Sequence, residues 1–193
     1  MAIETEAKLR CDDPESLRRR LRELGAEYVG QVMETNIFLD TADESLRAGD
    51  CGLRLRVNRD LADESQRIVL TYKGPRQPGV LKSREEIELR VDDQASAVAL
   101  FERLGFVRTL TFEKLRQTWR LDGCSVELDE LPHIGTFVEI EGSSEAQVLA
   151  LQHRLGLADQ PNIDTPYVGL LAAYLREQGK TDRVVTFNDS DHL

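Results

Sequence analysis

Charged residues recur at alternate positions along this chain, with aliphatic residues between them. At the start, Glu4, Glu6, Lys8 and Arg10 alternate with Ile3, Thr5, Ala7 and Leu9. Arg54 and Arg56 stand among Leu53, Leu55 and Val57, and Thr71 and Lys73 stand against Ile68, Leu70 and Tyr72. Arg84, Glu86, Glu88 and Arg90 oppose Ile87, Leu89 and Val91. Lys114 and Arg116 flank Leu115; Glu127 and Asp129 oppose Val126 and Leu128; Glu139 and Glu141 oppose Val138 and Ile140. A period of two is that of a β-strand, so each dyad lies on one strand face. Lys and Arg dyads suit phosphate oxygens, and Arg can bind them bidentately. Clustered carboxylates suit a hard divalent cation such as Mg2+ or Mn2+.

Two arrangements put such faces to use. In an open antiparallel sheet the aliphatic face meets helices and the charged face meets water. In a closed barrel the aliphatic faces turn outward under helices and the charges line the lumen, which at eight strands holds side chains or one small ligand. A lumen of one sign would not fold, because desolvated charges must be paired. Here both signs are present. Lys8, Arg54, Arg56, Lys73, Arg84, Lys114 and Arg116 are basic; Glu4, Glu6, Glu86, Glu88, Glu127, Asp129, Glu139 and Glu141 are acidic. Periodicity alone leaves both arrangements open.

The elements that must position these residues follow from local signals. Asp13-Pro14 opens a helix carrying Leu17, Leu21 and Leu24 that closes at Gly25. Residues 26–41 are extended, 42–52 form a connector, and residues 75–81 form a Pro/Gly loop. Asp122-Gly123 marks a hairpin. Helices are expected over about 93–104, 144–155 and 166–178, and a polar tail from about Gly179 to 193. The 193 residues and 40% hydrophobic content suit a single domain, here residues 1–178. The net charge of -10 argues against a nucleic-acid partner, although Lys and Arg gathered in one cleft still admit an anionic ligand. Cys11, Cys51 and Cys124 are odd in number and widely spaced, so neither a disulfide framework nor a zinc site follows. Reduced thiols, no membrane-length apolar run and no signal-peptide pattern give a cytoplasmic expectation without membrane association. A homodimer is left open.

In order along the chain, Glu4-x-Glu6-x-Lys8, Asn36 to Thr41, Leu53-Arg54-Leu55-Arg56, Leu70 to Pro75, Arg84-x-Glu86-x-Glu88, Glu113-Lys114-x-Arg116, Leu128-Asp129 and Gly135-x-Phe137-x-Glu139-x-Glu141 resemble the motifs of the CYTH proteins, the triphosphate tunnel metalloenzymes. The resemblance spans about residues 1–175 and is nearest to the branch described as class IV adenylyl-cyclase-like. It implies an α+β fold, mostly antiparallel: a closed eight-stranded β-barrel tunnel with helices packed outside. It also implies an enzyme that binds a small-molecule triphosphate with Mg2+ or Mn2+. Carried over by position, Lys8, Arg54, Arg56, Lys73, Arg84, Lys114 and Arg116 grip phosphate, with Lys8, Arg56 and Lys73 the catalytic candidates. Glu4, Glu6, Asp129, Glu139 and Glu141 hold metal, and Glu86, Glu88 and Glu127 support them. Glu113 has outer-face parity and stays out of the site. The Ser-Tyr that often precedes the family's last helix is Pro166-Tyr167 here.

The implied reaction is triphosphate hydrolysis; the alternative is ATP cyclisation by a class IV adenylyl cyclase. A non-catalytic phosphate-binding module fits the complete dyad set less well. His133, His153 and His192 are expected at the surface. If the dyads face water, E6Q and R56A leave stability within about 0.5 kcal/mol and touch no activity. If they face a lumen, both variants abolish turnover; paired melting and turnover measurements decide.

Overall fold

The computed structural model describes residues 2–78 and 81–188, except the side chains of residues 2–4 and 82. The Glu4 side chain, His192 and two residues of the Pro/Gly loop, 79–80, therefore lie outside the described residues. Among those described there are nine strands and five helices.

The strands are β1 (Ala2–Arg10), β2 (Glu27–Thr41), β3 (Gly52–Asp60), β4 (Gln66–Lys73), β5 (Lys82–Val91), β6 (Phe106–Leu121), β7 (Cys124–Leu131), β8 (Gly135–Gly142) and β9 (Val184–Val185). The first eight run antiparallel in the order β2-β3-β4-β5-β1-β8-β7-β6. Pairing of β2 with β6, from Glu27 opposite Arg120 to Thr41 opposite Phe106, closes them into a barrel. The fold is thus the closed eight-stranded α+β barrel.

The aliphatic faces point outward. Ala7 and Leu9 of β1, Val126 and Leu128 of β7, and Val138 and Ile140 of β8 pack under two helices. These are α1 (Pro14–Glu23), through Leu17 and Leu21, and α4 (Glu145–Arg154), through Val148 and Leu151. Asp13 caps α1 by accepting the Ser16 N–H at 2.9 Å, with Pro14 in the first turn where no amide donor is needed. On the other flank, Ile37, Leu39, Leu53 and Leu55 meet Ala97 and Val98 of α3 (Gln94–Arg103). Within the stretch expected to be a connector lies α2 (Ser45–Ala48). It is recruited by Asp40, whose carboxylate accepts the Leu46 and Arg47 N–H groups at 2.9 and 3.0 Å.

Two features differ from the expectation. The helix α5 (Tyr167–Glu177) does not lie on the outer face. Its Tyr167, Leu171 and Leu175 pack on Leu110, Phe112, Leu131 and Phe137. Those strand residues share parity with Lys114, Arg116, Asp129 and Glu139, so α5 covers one end of the barrel interior. The interior face turns apolar at that end, and an apolar helix face is what it can bury. Nor is the C-terminal segment a plain polar tail. Val184 and Val185 pair in parallel with Thr111 and Phe112, and Val185 is buried in the same cluster.

Truncating Leu171, which is 0% exposed, removes the centre of this cap. L171A is expected to lower stability by about 2–5 kcal/mol in denaturant unfolding.

Candidate active site in the barrel interior

Strand register brings the charged faces together. Lys114 sits opposite Glu34 across the closing seam, and its ammonium lies 3.2 Å from Glu34 and 3.0 Å from Asp129. All three are almost wholly buried: 1% exposed for Lys114 and Glu34, and 0% for Asp129. Arg116, opposite Asp129, donates from Nε to Asp129 Oδ1 at 2.6 Å and from Nη2 to Glu139 Oε2 at 2.6 Å. It also pairs with Glu127. Arg56 donates from Nε to Asn36 at 2.8 Å and reaches Glu34 at 3.0 Å. Lys8 lies 3.9 Å from Glu139, which is its register partner. Lys73 is bonded to Glu86 across the β4–β5 ladder.

These pairs set the electrostatics. Burial works against the charge on Arg116, but Asp129, Glu127 and Glu34 overcome it and hold its pKa well above the ordinary value. Burial likewise opposes ionisation of Glu34, yet Arg56, Lys114 and Arg116 keep its carboxyl far below the usual range. Burial lifts Glu127 to about 7; Arg116 pulls it back, and the neighbouring carboxylates Asp129 and Glu139 push it up. Lys73 is lowered by burial and by the charge of Arg54, despite Glu86.

Arg54 is different. It is half-buried in the lumen and makes no ion pair among the described residues. Its Nη2 donates only to the Thr71 hydroxyl at 3.3 Å, which in turn donates to Glu88 at 3.0 Å. Its Nε has no partner. Burial, then repulsion from Arg56, pulls its pKa down to about 10. Glu34 and Glu86 offset only part of this.

Of the residues expected from sequence, Lys8, Arg54, Arg56, Lys73, Lys114, Arg116, Glu127, Asp129 and Glu139 are gathered in the interior. Glu86 and Glu88 serve the basic residues there. Arg84 is engaged differently: it donates to the Asp50 carbonyl at 2.8 Å, the Gly74 carbonyl at 3.1 Å and the Asp50 carboxylate at 3.0 Å. It braces two loops. Glu113 is outside the lumen and accepts the Phe187 N–H at 3.0 Å. His133, exposed in its turn, stacks on Tyr174 with ring centroids 5.2 Å apart, and His153 is exposed.

Two residues of this interior were missed by the sequence reading. Glu34 shares strand parity with Asn36, which was the available signal, but its neighbours Val32 and Met33 do not set an apolar face against a charged one. Tyr167 enters from α5, with Lys8 Nζ 4.4 Å and Lys114 Nζ 5.1 Å from its ring centroid.

The carboxylate side fits a hard cation in one place. Glu6 and Glu141 are direct register partners on β1 and β8. Glu141 makes no ion pair among the described residues, and burial followed by repulsion from Glu6 raises its pKa. A divalent cation would relieve this repulsion with oxygen ligands. Asp129 and Glu139 are occupied by Arg116, Lys114 and Lys8, and no group of three or more potential ligands already converges among the described residues.

The depressed pKa of Glu34 means that it stabilises the fold while ionised. That contribution is present above its ordinary value of 4.5 and is lost as pH falls below it. E34Q leaves three buried cations short of an anion and is expected to cost about 3–5 kcal/mol at pH 7. In urea unfolding, the gap between wild type and E34Q should narrow as pH drops from 4.5.

Comparison with known proteins agrees with this interior. The CYTH domain family matches residues 2–157. A Methanocaldococcus jannaschii protein named as a candidate adenylate cyclase is 30% identical over 141 residues, covering 73% of this chain and 77% of that protein. A solved structure from Pyrococcus horikoshii OT3 superposes with a TM-score of 0.78 at 26% identity, covering 89% of this chain and 99% of that one. A candidate adenylyl cyclase of Hippeastrum, described as having a dominant triphosphatase activity, gives a TM-score of 0.66 at 22% identity over 93% and 97% of the two chains. With its family motifs in order, its tunnel closed and its dyads turned inward, the chain belongs to the CYTH domain family.

Proposed function

We propose that this protein is a divalent-metal-dependent triphosphatase that binds an inorganic or organic triphosphate in its tunnel. The observation that carries this reading is Arg54, a half-buried guanidinium that makes no ion pair among the described residues, has an unsatisfied Nε, and is only partly offset by Glu34 and Glu86. A partly desolvated cation short of counter-charge is costly, and phosphate oxygens are the counter-charge its planar donors fit. Lys8, Arg56, Lys73, Lys114 and Arg116 complete the grip, arranged with Arg54 around one lumen on four different strands.

In this reading the basic side chains fix the phosphate chain and neutralise charge as it develops on the departing phosphate. Catalysis of this kind is mostly positioning and electrostatics. Lys8, Arg56 and Lys73 act closest to the reacting phosphate. The carboxylates Glu34 and Asp129 keep Lys114, Arg56 and Arg116 in place, so the grip is set before the ligand arrives. Glu6 and Glu141, with Glu4, would hold Mg2+ or Mn2+; when bound, the ion supplies Lewis-acid stabilisation of phosphate oxygens. Asp129 and Glu139 join that set only by releasing their basic partners. Arg84 acts as a brace.

The second reading is ATP cyclisation, favoured by the name of the Methanocaldococcus jannaschii relative. The dominant triphosphatase activity described for the Hippeastrum neighbour supports hydrolysis.

One product assay separates the two. Purified protein is offered tripolyphosphate, thiamine triphosphate and ATP with Mg2+ or Mn2+, and orthophosphate is scored against cyclic AMP. Orthophosphate is the expected product; cyclic AMP from ATP transfers the assignment to the cyclase, and no turnover sinks both. R54A is expected to weaken tripolyphosphate binding by about tenfold to a hundredfold in calorimetry, with R54K restoring part of it.

A further inference from the structure

We propose that the end of β5, residues 87–91, pairs antiparallel with the same stretch of a second copy of this chain, about a two-fold axis at Leu89. This goes beyond the phosphate-tunnel reading and does not depend on it.

The barrel wall is not closed along its whole height. Pairing of β1 with β5 runs from Glu6 opposite Lys82 to Ala2 opposite Glu86. Beyond that point β5 continues to Val91 with β4 on one side, where Leu70 stands opposite Leu89 and Ile68 opposite Val91. On the other side no described strand accompanies it. This end lies at the rim away from α5, because α5 packs on Phe137, which pairs with Arg10 at the far end of β1. β6 has a similar bare run before Leu115, where its pairing with β7 stops; there β9 takes up the edge at Thr111 and Phe112. No described segment does the same for β5.

The bare edge suits pairing. Ile87 is 43% exposed and Leu89 59%, and Glu88 and Arg90 are exposed on the opposite face. The stretch carries no Pro, Gly or Lys, and its register with β4 shows no bulge. Proline, lysine and bulges are devices that keep free edges apart. The backbone points the same way. Gly74 donates to the Glu85 carbonyl at 2.9 Å, so the odd-numbered residues of β5 exchange their bonds with β4. The N–H and C=O groups of Glu88 and Arg90 therefore face the bare side.

Symmetry fixes what they meet. In an antiparallel pair centred on Leu89, Glu88 of each copy stands opposite Arg90 of the other, and each such pair exchanges two backbone bonds. On the other face Leu89 meets its own copy and Ile87 meets Val91. Opposite charges directly across a ladder attract, and like charges repel. Moving the axis to Glu88 or to Arg90 sets like charges against each other, so one register is selected. A two-fold interface needs this kind of self-complementary patch. Glu88 also accepts the Thr71 hydroxyl at 3.0 Å through one oxygen, which leaves the other for the second copy. The strip is short, so the association is expected to be reversible.

The test is sedimentation equilibrium of the whole chain over a range of concentrations, with melting curves to show that each variant is folded. Wild type is expected to give a monomer–dimer equilibrium. R90E sets Glu88 against a second carboxylate twice and should weaken the dimer by roughly tenfold to a hundredfold, and the swapped variant E88R/R90E should restore it. Mild oxidation reads the register. L89C lies on the axis and should form a disulfide-linked dimer, whereas I87C, set opposite Val91, should not. A wild type that stays single at every concentration overturns the proposal. So does R90E dimerising as tightly as wild type, a swapped variant that fails to restore the dimer, or I87C linking as readily as L89C.

Discussion

Charge taken out of water has to be answered by charge, and the interior of this barrel is built around that constraint. Lys114 is the clearest case. Its ammonium is buried between Glu34 on β2 and Asp129 on β7, on either side of its own strand. Arg116 repeats the arrangement one step along β6 and adds Glu139 from β8. Each of these partners is supplied by strand register, so the pairing that closes the barrel is also the pairing that neutralises it. The neutralisation is deliberately uneven in its result. Arg54 makes no ion pair among the described residues, and neither does Glu141, whose register partner on β1 is Glu6. Arg54 and Glu141 are of opposite sign and stand on different strands of the wall.

The outward side follows a different rule. It carries aliphatic residues that need cover, and helices supply it in two separate bands. α1 and α4 lie over β1, β7 and β8, and α3 lies over β2 and β3. The stability of the shell is thereby divorced from the chemistry of the lumen. Substitutions at Leu21 or Leu151 act on that outer packing, whereas substitutions at Arg54 act on the polar interior.

Much of this was legible in the sequence because strand alternation is strict where the dyads occur. Leu53-Arg54-Leu55-Arg56 and Ser125 to Asp129 each state, residue by residue, which side faces in. The closed form was not written in that alternation, since an open sheet has the same period; only the ordered motifs pointed to a barrel. Glu34 escaped notice although its alternation with Asn36 is unbroken, because its neighbours Val32 and Met33 do not set an apolar face against a charged one. The role of α5 escaped for another reason. Leu110, Phe112 and Phe137 have interior parity but no charge, so they looked like ordinary core residues rather than the point where the lumen ends. The helix α2 depends on two amide bonds to the distant Asp40 carboxylate, and four residues carry no periodic signal of their own. Arg84 had the right parity and spacing, yet Asp50, remote in sequence, claims its guanidinium.

The seam between β2 and β6 carries a consequence for how the molecule comes into being. Every other antiparallel contact in the barrel except β1 with β5 and β8 joins strands that follow one another directly in the chain, whereas the seam unites Glu27 with Arg120 and Thr41 with Phe106. Such remote pairings are slow to form, because the intervening chain must surrender its freedom first. Until they form, Lys114 has no Glu34. Newly made chains therefore pass through an interval in which a strip of unpaired charge and two unzipped edges are exposed.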